Sequence, residues 1–182
     1  MTGIADLAVI AYEFKTDDRG SFARVFDRDI FLAHGLIGDF PQHSVAINRT
    51  RGTLRGMHYQ CLPFCESKVV RCVRGRVWDV VLDVRKKSPT FGSWKAFELF
   101  ADDAQMLYIG AGLAHGYVTL SDNAELQYLI SAPYSPTHAA GVHWRDPQVA
   151  IDWPITEVIM SDRDANLPGL ALAPDPFDGL IE

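Results

Sequence analysis

An imidazole, a guanidinium and an amine lie close together in this chain, at Arg55-Gly56-Met57-His58-Tyr59-Gln60 and at Lys68, ten residues past the histidine. An imidazole changes charge near neutrality, so His58 is a candidate proton-transfer group, with two cations nearby. In an extended strand alternate side chains share a face, so His58 and Gln60 point one way and Met57 and Tyr59 the other. Arg55 falls on the wrong parity for His58 unless Gly56 forms a bulge that turns it back. Lys68, Val70 and Cys72 line one face of the next strand. Read alone, the same residues also fit a hydrogen-bonded core histidine and a lysine at the rim.

These groups must be held by strands. Extended runs are expected at Ala8–Phe14, Ser21–Phe26, Ser44–Asn48, Thr53–Gln60, Lys68–Val73 and Val77–Val84. Trp94–Phe100, Met106–Ile109, His115–Leu120 and Glu125–Ile130 continue the series at intervals of about ten residues. The turn Arg74-Gly75-Arg76 reads as the loop of a hairpin. Asp29–His34 reads as a short helix closed by Gly35. Many short strands separated by turn residues indicate an all-β sandwich or barrel rather than βαβ units. The tail from Asn166, with Pro168, Pro174 and Pro176, is expected to be irregular and to pack on the surface or on a neighbouring subunit.

The 182 residues are most simply one domain, spanning 1–182, with enough chain for a substantial core. A hydrophobic content of 48% with 22% charged residues argues against a disordered chain. The net charge of −6 gives no support to nucleic-acid binding. No stretch has the eighteen or so apolar residues that a membrane helix needs, and the start of the chain has no secretory pattern. Cys61, Cys65 and Cys72 are an odd set with no distant Cys or His pair to complete a zinc site, so reduced thiols and a cytoplasmic location are expected.

A set of blocks resembles the dTDP-4-dehydrorhamnose 3,5-epimerase family. They are Asp18-Arg19-Gly20 with Phe22, Leu54–Gln60, Lys68–Arg71, Asp79–Arg85, Ser88-Pro89-Thr90-Phe91-Gly92 and Gly112–Gly116. Glu125 with Tyr128, Tyr134-Ser135-Pro136, Trp144-Arg145-Asp146-Pro147, Trp153-Pro154 and Ser161–Asp164 complete the set. Each block is weak, but together they run from about residue 10 to about 169 in family order. The resemblance implies a double-stranded β-helix, the cupin-type jelly roll, with short helices and the irregular tail. It implies a homodimer in which N-terminal strands extend the partner's sheet, with no cofactor and no metal.

The implied reaction is inversion at C3, C5 or both of a 4-keto-6-deoxyhexose carried on a nucleoside diphosphate. Hydrogens beside the carbonyl are acidified, so inversion needs a base, an acid across the ring and a group that holds the enolate. By resemblance His58 is the base, Asp164 orients it, Tyr128 is the acid and Lys68 sits by the enolate oxygen. His115 is either an enolate stabiliser or a support held by Asp79 or Asp83. Arg19, Phe22, Gln42, Asn48, Arg55 and Gln60 are the implied substrate contacts, the arginines matching diphosphate and Phe22 the base. Without the resemblance, Asp164 reads first as the N-cap of a short C-terminal turn and Tyr128 as a core tyrosine with its hydroxyl at the rim. Trp144 and Trp153 read as structural.

The chain departs from thymidine-specific members at Arg24, at Pro133-Tyr134 where they carry paired tyrosines, and in Cys61–Ser67, which lacks a glutamine before the lysine. The same residues therefore also fit a CDP-linked substrate or inversion at a single carbon. Two readings of other classes remain open. One is a metal-dependent oxygenase or isomerase holding its ion with His58, Glu66 and His115. The other is an inactive sugar-binding module.

Overall fold

Apolar residues alternate along most strands of this chain, and where both faces are buried they run together. Residues 54–60 read Leu-Arg-Gly-Met-His-Tyr-Gln, residues 113–119 are buried throughout, and the two pair. The structure, a computed structural model, describes residues 2–178. In chain order its elements begin with β1 (Leu7–Ala11), β2 (Lys15–Asp17), β3 (Gly20–Phe22), α1 (Arg28–Ala33), β4 (Gln42–Asn48), β5 (Leu54–Gln60) and β6 (Lys68–Arg74). They continue with β7 (Arg76–Asp83), β8 (Trp94–Phe100), β9 (Gln105–Ile109), β10 (Leu113–Thr119), β11 (Ala124–Ile130), β12 (Ala139–Gly141) and α2 (Asp162–Ala165).

Ten of the strands form two five-stranded antiparallel sheets, in the orders β1-β9-β6-β11-β4 and β12-β5-β10-β7-β8. They face each other as the double-stranded β-helix of the cupin-type jelly roll. Between them pack Leu7, Val70, Cys72, Val77, Val81, Leu107, Ile109, Leu113, Tyr117 and Leu126. Each fully buried aliphatic side chain of this kind contributes about 1.5–3 kcal/mol. The outer face of the second sheet (Met57, Tyr59, Val80, Leu82) lies under Val142, Trp144, Val149, Trp153 and Leu170. The described part of the tail, residues 166–178, is irregular apart from a 3-10 turn at Leu170–Leu172, and its Leu170 and Ala173 join this layer. Trp153 Nε1 donates to the Trp144 carbonyl at 2.8 Å, so both tryptophans are part of this packing. On the outer face of the first sheet, Phe26, Phe31 and Phe40 cover Val69, Met106 and Tyr108.

Helix α1 starts at Asp27, whose carboxylate accepts from the N–H groups of Asp29 and Ile30, and ends into Gly35 at φ +73°. Three expectations need correction. Residues 74–76 do not close a hairpin: β6 pairs with β9 and β11, and β7 with β8 and β10. Only Gly75 separates the two strands, too little for a two-residue hairpin loop, so the chain turns a corner from one sheet to the other. The strand expected over Ser21–Phe26 ends at Phe22 and forms a small hairpin with β2, while residues 23–27 run irregularly to the helix cap. The first strand spans Leu7–Ala11 rather than Ala8–Phe14. All three cysteines are free thiols. Among the described residues no helix is long and apolar enough to cross a membrane.

Candidate active site

Gly56 governs the geometry of β5. Its φ is +129°, a conformation that side-chain-bearing residues rarely adopt. A Cβ there would lie 2.4 Å from the Cα of Gly116 on β10. The register slips at this point: His115 faces His58 and Tyr117 faces Arg55. The slip is the bulge that the parity of Arg55 required, and both Arg55 and His58 open into one cavity of about 560 Å³.

Residues of both sheets line that cavity. The second sheet supplies Arg55, His58 and His115, and the first supplies Gln42, Ser44, Lys68 and Tyr128. Helix α2 adds Arg163 and Asp164. His58 Nε2 donates to Asp164 Oδ1 at 2.7 Å, while Asp164 Oδ2 accepts from the Gly56 N–H at 3.3 Å. The N-cap of α2 is Ser161, whose hydroxyl accepts from the Asp164 N–H, so the capping role belongs to the serine and the carboxylate is free for the histidine. Burial works to raise the Asp164 carboxyl, but the hydrogen bond and charge of His58, the Gly56 N–H and Ser161 outweigh it and hold it below the ordinary range.

His115 Nε2 donates to Asp79 Oδ2 at 2.8 Å, and Asp79 is fully buried. Of the two aspartates open to this role, Asp83 is instead held by Arg85, Ser88 and Thr90. Burial pushes the Asp79 carboxyl up despite the opposing charge and hydrogen bond of His115. Lys68 Nζ lies 2.7 Å from Glu66 Oε1, both side chains being about one-tenth exposed. The edge of the Tyr128 ring meets His115 at 6.0 Å between centroids. Burial, with Tyr117 and the charge of Asp79, pushes the Tyr128 hydroxyl well above its ordinary range, so it stays protonated at neutral pH.

The cavity thus brings together His58, Lys68, His115, Tyr128, Asp164, Gln42, Arg55 and Gln60. It does not gather Arg19 or Phe22, which sit on the β2–β3 hairpin with Arg19 paired to Asp17 and Phe22 69% exposed. Asn48 is buried beside the cavity instead of lining it, its Oδ1 accepting from Arg55 Nε at 2.9 Å and the Tyr117 hydroxyl at 3.1 Å. The Gln60 amide is spent within the protein: it donates to Glu66, Phe64 and Pro133 and accepts from the Ser135 N–H. It braces the 61–67 loop and has little left for a substrate. Arg24 pairs with the helix cap Asp27.

Sequence reasoning missed three groups. Glu66 was weighed only as a metal ligand, although an acid two residues from Lys68 on an extended segment shares its face. Arg163 stands beside Asp164 and donates to the Tyr134 hydroxyl at 3.2 Å. Tyr117 carried no signal apart from its hydroxyl. The proposed metal trio does not converge, since each histidine faces a carboxylate and Glu66 an ammonium; among the described residues no three His, Cys, Asp or Glu side chains are grouped to hold an ion.

Comparisons with known proteins bear on this cavity. The family model described as dTDP-4-dehydrorhamnose 3,5-epimerase matches residues 1–171. A protein of that name from Sinorhizobium fredii is 37% identical over 175 residues, 96% of this chain and 90% of the relative. The solved dTDP-6-deoxy-D-glucose-3,5-epimerase of Legionella pneumophila, in complex with dTDP-4-keto-L-rhamnose, superposes with a TM-score of 0.89 at 35% identity, covering 94% of this chain and 91% of that one. A 3′-monoepimerase from Streptomyces bikiniensis in complex with dTDP-quinovose gives 0.87 at 37% identity, covering 93% and 86%.

Proposed function

We propose, from the premise that this chain belongs to the dTDP-4-dehydrorhamnose 3,5-epimerase family, that it inverts carbons beside the carbonyl of a nucleotide-linked 4-keto-6-deoxyhexose. The observation that carries the reading is the split of proton-handling groups between the two sheets. His58, backed by Asp164, lies on one wall of the cavity, and Tyr128 on the other.

Asp164 occupies Nε2, so the His58 nitrogen left for the substrate is Nδ1. It takes the proton beside C4, and the carboxylate steadies the imidazolium that results. The electron pair moves onto the C4 oxygen, where the Lys68 ammonium offsets the charge, while His115, whose Nε2–H is held by Asp79, is a support in the cavity wall. Tyr128, kept protonated, returns a proton to the opposite face of the same carbon. Arg55 and Arg163 are the cations lining the cavity that suit a diphosphate. The dTDP-linked sugar is the substrate, since the matched relatives carry dTDP in their names. Relatives of both the 3,5- and the 3′-mono type match this chain equally well, so the number of carbons inverted is read by assay.

The protein acts as a homodimer and works in the cytoplasm. The exposed Arg19 and Phe22 hairpin, together with outward Val45 and Ile47 on edge strand β4, supports a partner covering this side. The three free thiols suit a reducing compartment.

The test is solvent deuterium uptake into dTDP-4-keto-6-deoxyglucose, followed carbon by carbon, with the CDP-linked sugar in parallel. Tyr128→Phe is expected to exchange hydrogen without inverting, and His58→Ala to do neither while still binding nucleotide. Normal inversion by Tyr128→Phe, or turnover by His58→Ala, removes that residue from its role.

A further inference from the structure

Glu66 and Lys68 form an ion pair in the wall of the cavity, Oε1 to Nζ at 2.7 Å, with each side chain about one-tenth exposed. Taking two charges out of water costs about as much as their attraction returns, so stability alone gives the fold little reason to keep such a pair. The carboxylate is also held rigidly. Its second oxygen accepts from Gln60 Nε2, and the Gln60 amide cannot turn. Gln60 Oε1 accepts from the Ser135 N–H at 2.6 Å, while Nε2 also donates to the carbonyls of Phe64 at 3.0 Å and Pro133 at 3.2 Å. Between the two charged residues, the buried Ser67 donates its N–H to Ser131 Oγ at 2.8 Å and accepts from the Ser131 N–H at 3.0 Å. Carboxylate and backbone are thus both fixed. The flexible member is the lysine, whose four-carbon stem otherwise samples many rotamers.

We infer that Glu66 is a positioning residue for Lys68: it anchors one side of the ammonium so that the rest of it stands where the C4 oxygen gathers charge. This rests on the reading of Lys68 as the group beside that oxygen. An ammonium carries three N–H donors and no acceptor, so one side can be tied to a carboxylate while the others serve a ligand. Glu66 takes no proton and makes no bond to the sugar in this role. Its own negative charge works against the enolate. The arrangement gains because a donor already in place needs no reordering as the charge appears.

A double-mutant cycle with Lys68 tests the role. Glu66→Gln keeps the size and removes the charge, and its single amide oxygen cannot serve both Gln60 and Lys68. It is expected to slow deuterium wash-in and inversion together by about tenfold to a hundredfold, since both pass through the same enolate. The dissociation constant for dTDP, which has no sugar carbonyl, should stay within about twofold by calorimetry. Lys68→Met should cost about 10²–10³ in wash-in, and in that background Glu66→Gln should slow it no further. A residue that only braced the 61–67 loop would cost the same in both backgrounds. That result overturns the inference, as does a parent rate in Glu66→Gln or a dTDP affinity that falls with the rate. A faster Glu66→Gln overturns it too, since the carboxylate is then a brake on the ammonium. Should Glu66→Gln fail to fold, Glu66→Asp, which keeps the charge but falls one methylene short, decides in the same cycle. It should be slow alone and without effect beside Lys68→Met, and any other pattern overturns the inference. Parent rates in Lys68→Met remove the lysine from the mechanism, whereas a slow Lys68→Met with a normal Glu66→Gln removes only Glu66.

Discussion

Replacing Asp164 by asparagine should harm the enzyme more than replacing it by alanine. The carboxylate is 4% exposed and accepts on both oxygens, from His58 Nε2 at 2.7 Å and from the Gly56 N–H at 3.3 Å. A charge-assisted bond of this kind is worth about 1.5–3 kcal/mol to the imidazolium, so Asp164→Ala should slow proton abstraction by about tenfold to 150-fold. Asparagine adds a second fault. The Gly56 N–H needs an acceptor, so the amide oxygen must face it and the NH2 must face His58. Nε2 is then obliged to accept, the ring proton moves to Nδ1, and the nitrogen facing the cavity has no lone pair. In serine hydrolases, where an aspartate holds the catalytic histidine in the same way, a wrong tautomer of this sort costs on the order of 10⁴ in kcat. Deuterium uptake in D₂O, followed by proton NMR beside thermal midpoints for all three proteins, reads the difference. An Asp164→Asn protein faster than Asp164→Ala would refute the geometric reasoning, and near-parent rates in both would remove Asp164 from the mechanism.

Three further outcomes are expected. Gly56→Ala puts a Cβ 2.4 Å from Gly116 Cα and 2.9 Å from the His115 carbonyl at positive φ. Backbone strain and overpacking together cost about 2–5 kcal/mol, so calorimetry should show the midpoint lowered by roughly 5–20 °C, with exchange lost because β5 and β10 carry both histidines. Arg55→Gln should raise KM by about tenfold or more while changing kcat less, as steady-state kinetics will report, because in the proposed mechanism the guanidinium holds a diphosphate that does not react. Acid should destabilise the fold through Asp83 and Asp164. Burial opposes ionisation of both, but hydrogen bonds from Arg85, Ser88 and Thr90, and from His58, hold them below the ordinary range. Their stabilisation is present above about pH 4 and is lost as pH falls through the lowered folded values, while Asp79, raised by burial, contributes with the opposite sign. Denaturant midpoints from neutral pH down to about pH 3 should fall, and Asp83→Asn should flatten that fall; an unchanged slope in that variant would exclude Asp83 as a source.

Most strand positions were legible because hydrophobic alternation is local, and the faces of Met57, His58 and Tyr59 follow from parity alone. The bulge at Gly56 was legible as a condition: Arg55 reaches the cavity only if the register slips there, and it does. Partner choice was not. The residues around Gly75 have turn chemistry, yet nothing in them says whether the flanking strands pair or part, since that depends on β9, β10 and β11 much later in the chain. Contacts made by long polar side chains were equally hidden. Gln60 has the right parity for the cavity but is consumed by the 61–67 loop, and Asn48 is consumed by Arg55 and Tyr117. Arg19 and Phe22 match by position in the chain, but they stand exposed on their hairpin and do not line the cavity.

The one-residue corner at Gly75 joins walls that, in the proposed mechanism, do opposite halves of a stereochemical task. His58 and Tyr128 ride on different layers, so in that mechanism the gap between layers is a length along the reaction path as well as a measure of core filling. Trimming a methyl from Val70, Val81 or Leu126 is expected to lower the rate of inversion by disturbing that spacing, with every cavity-lining side chain untouched. In this fold the interior hydrocarbon sets the distance between the two working walls.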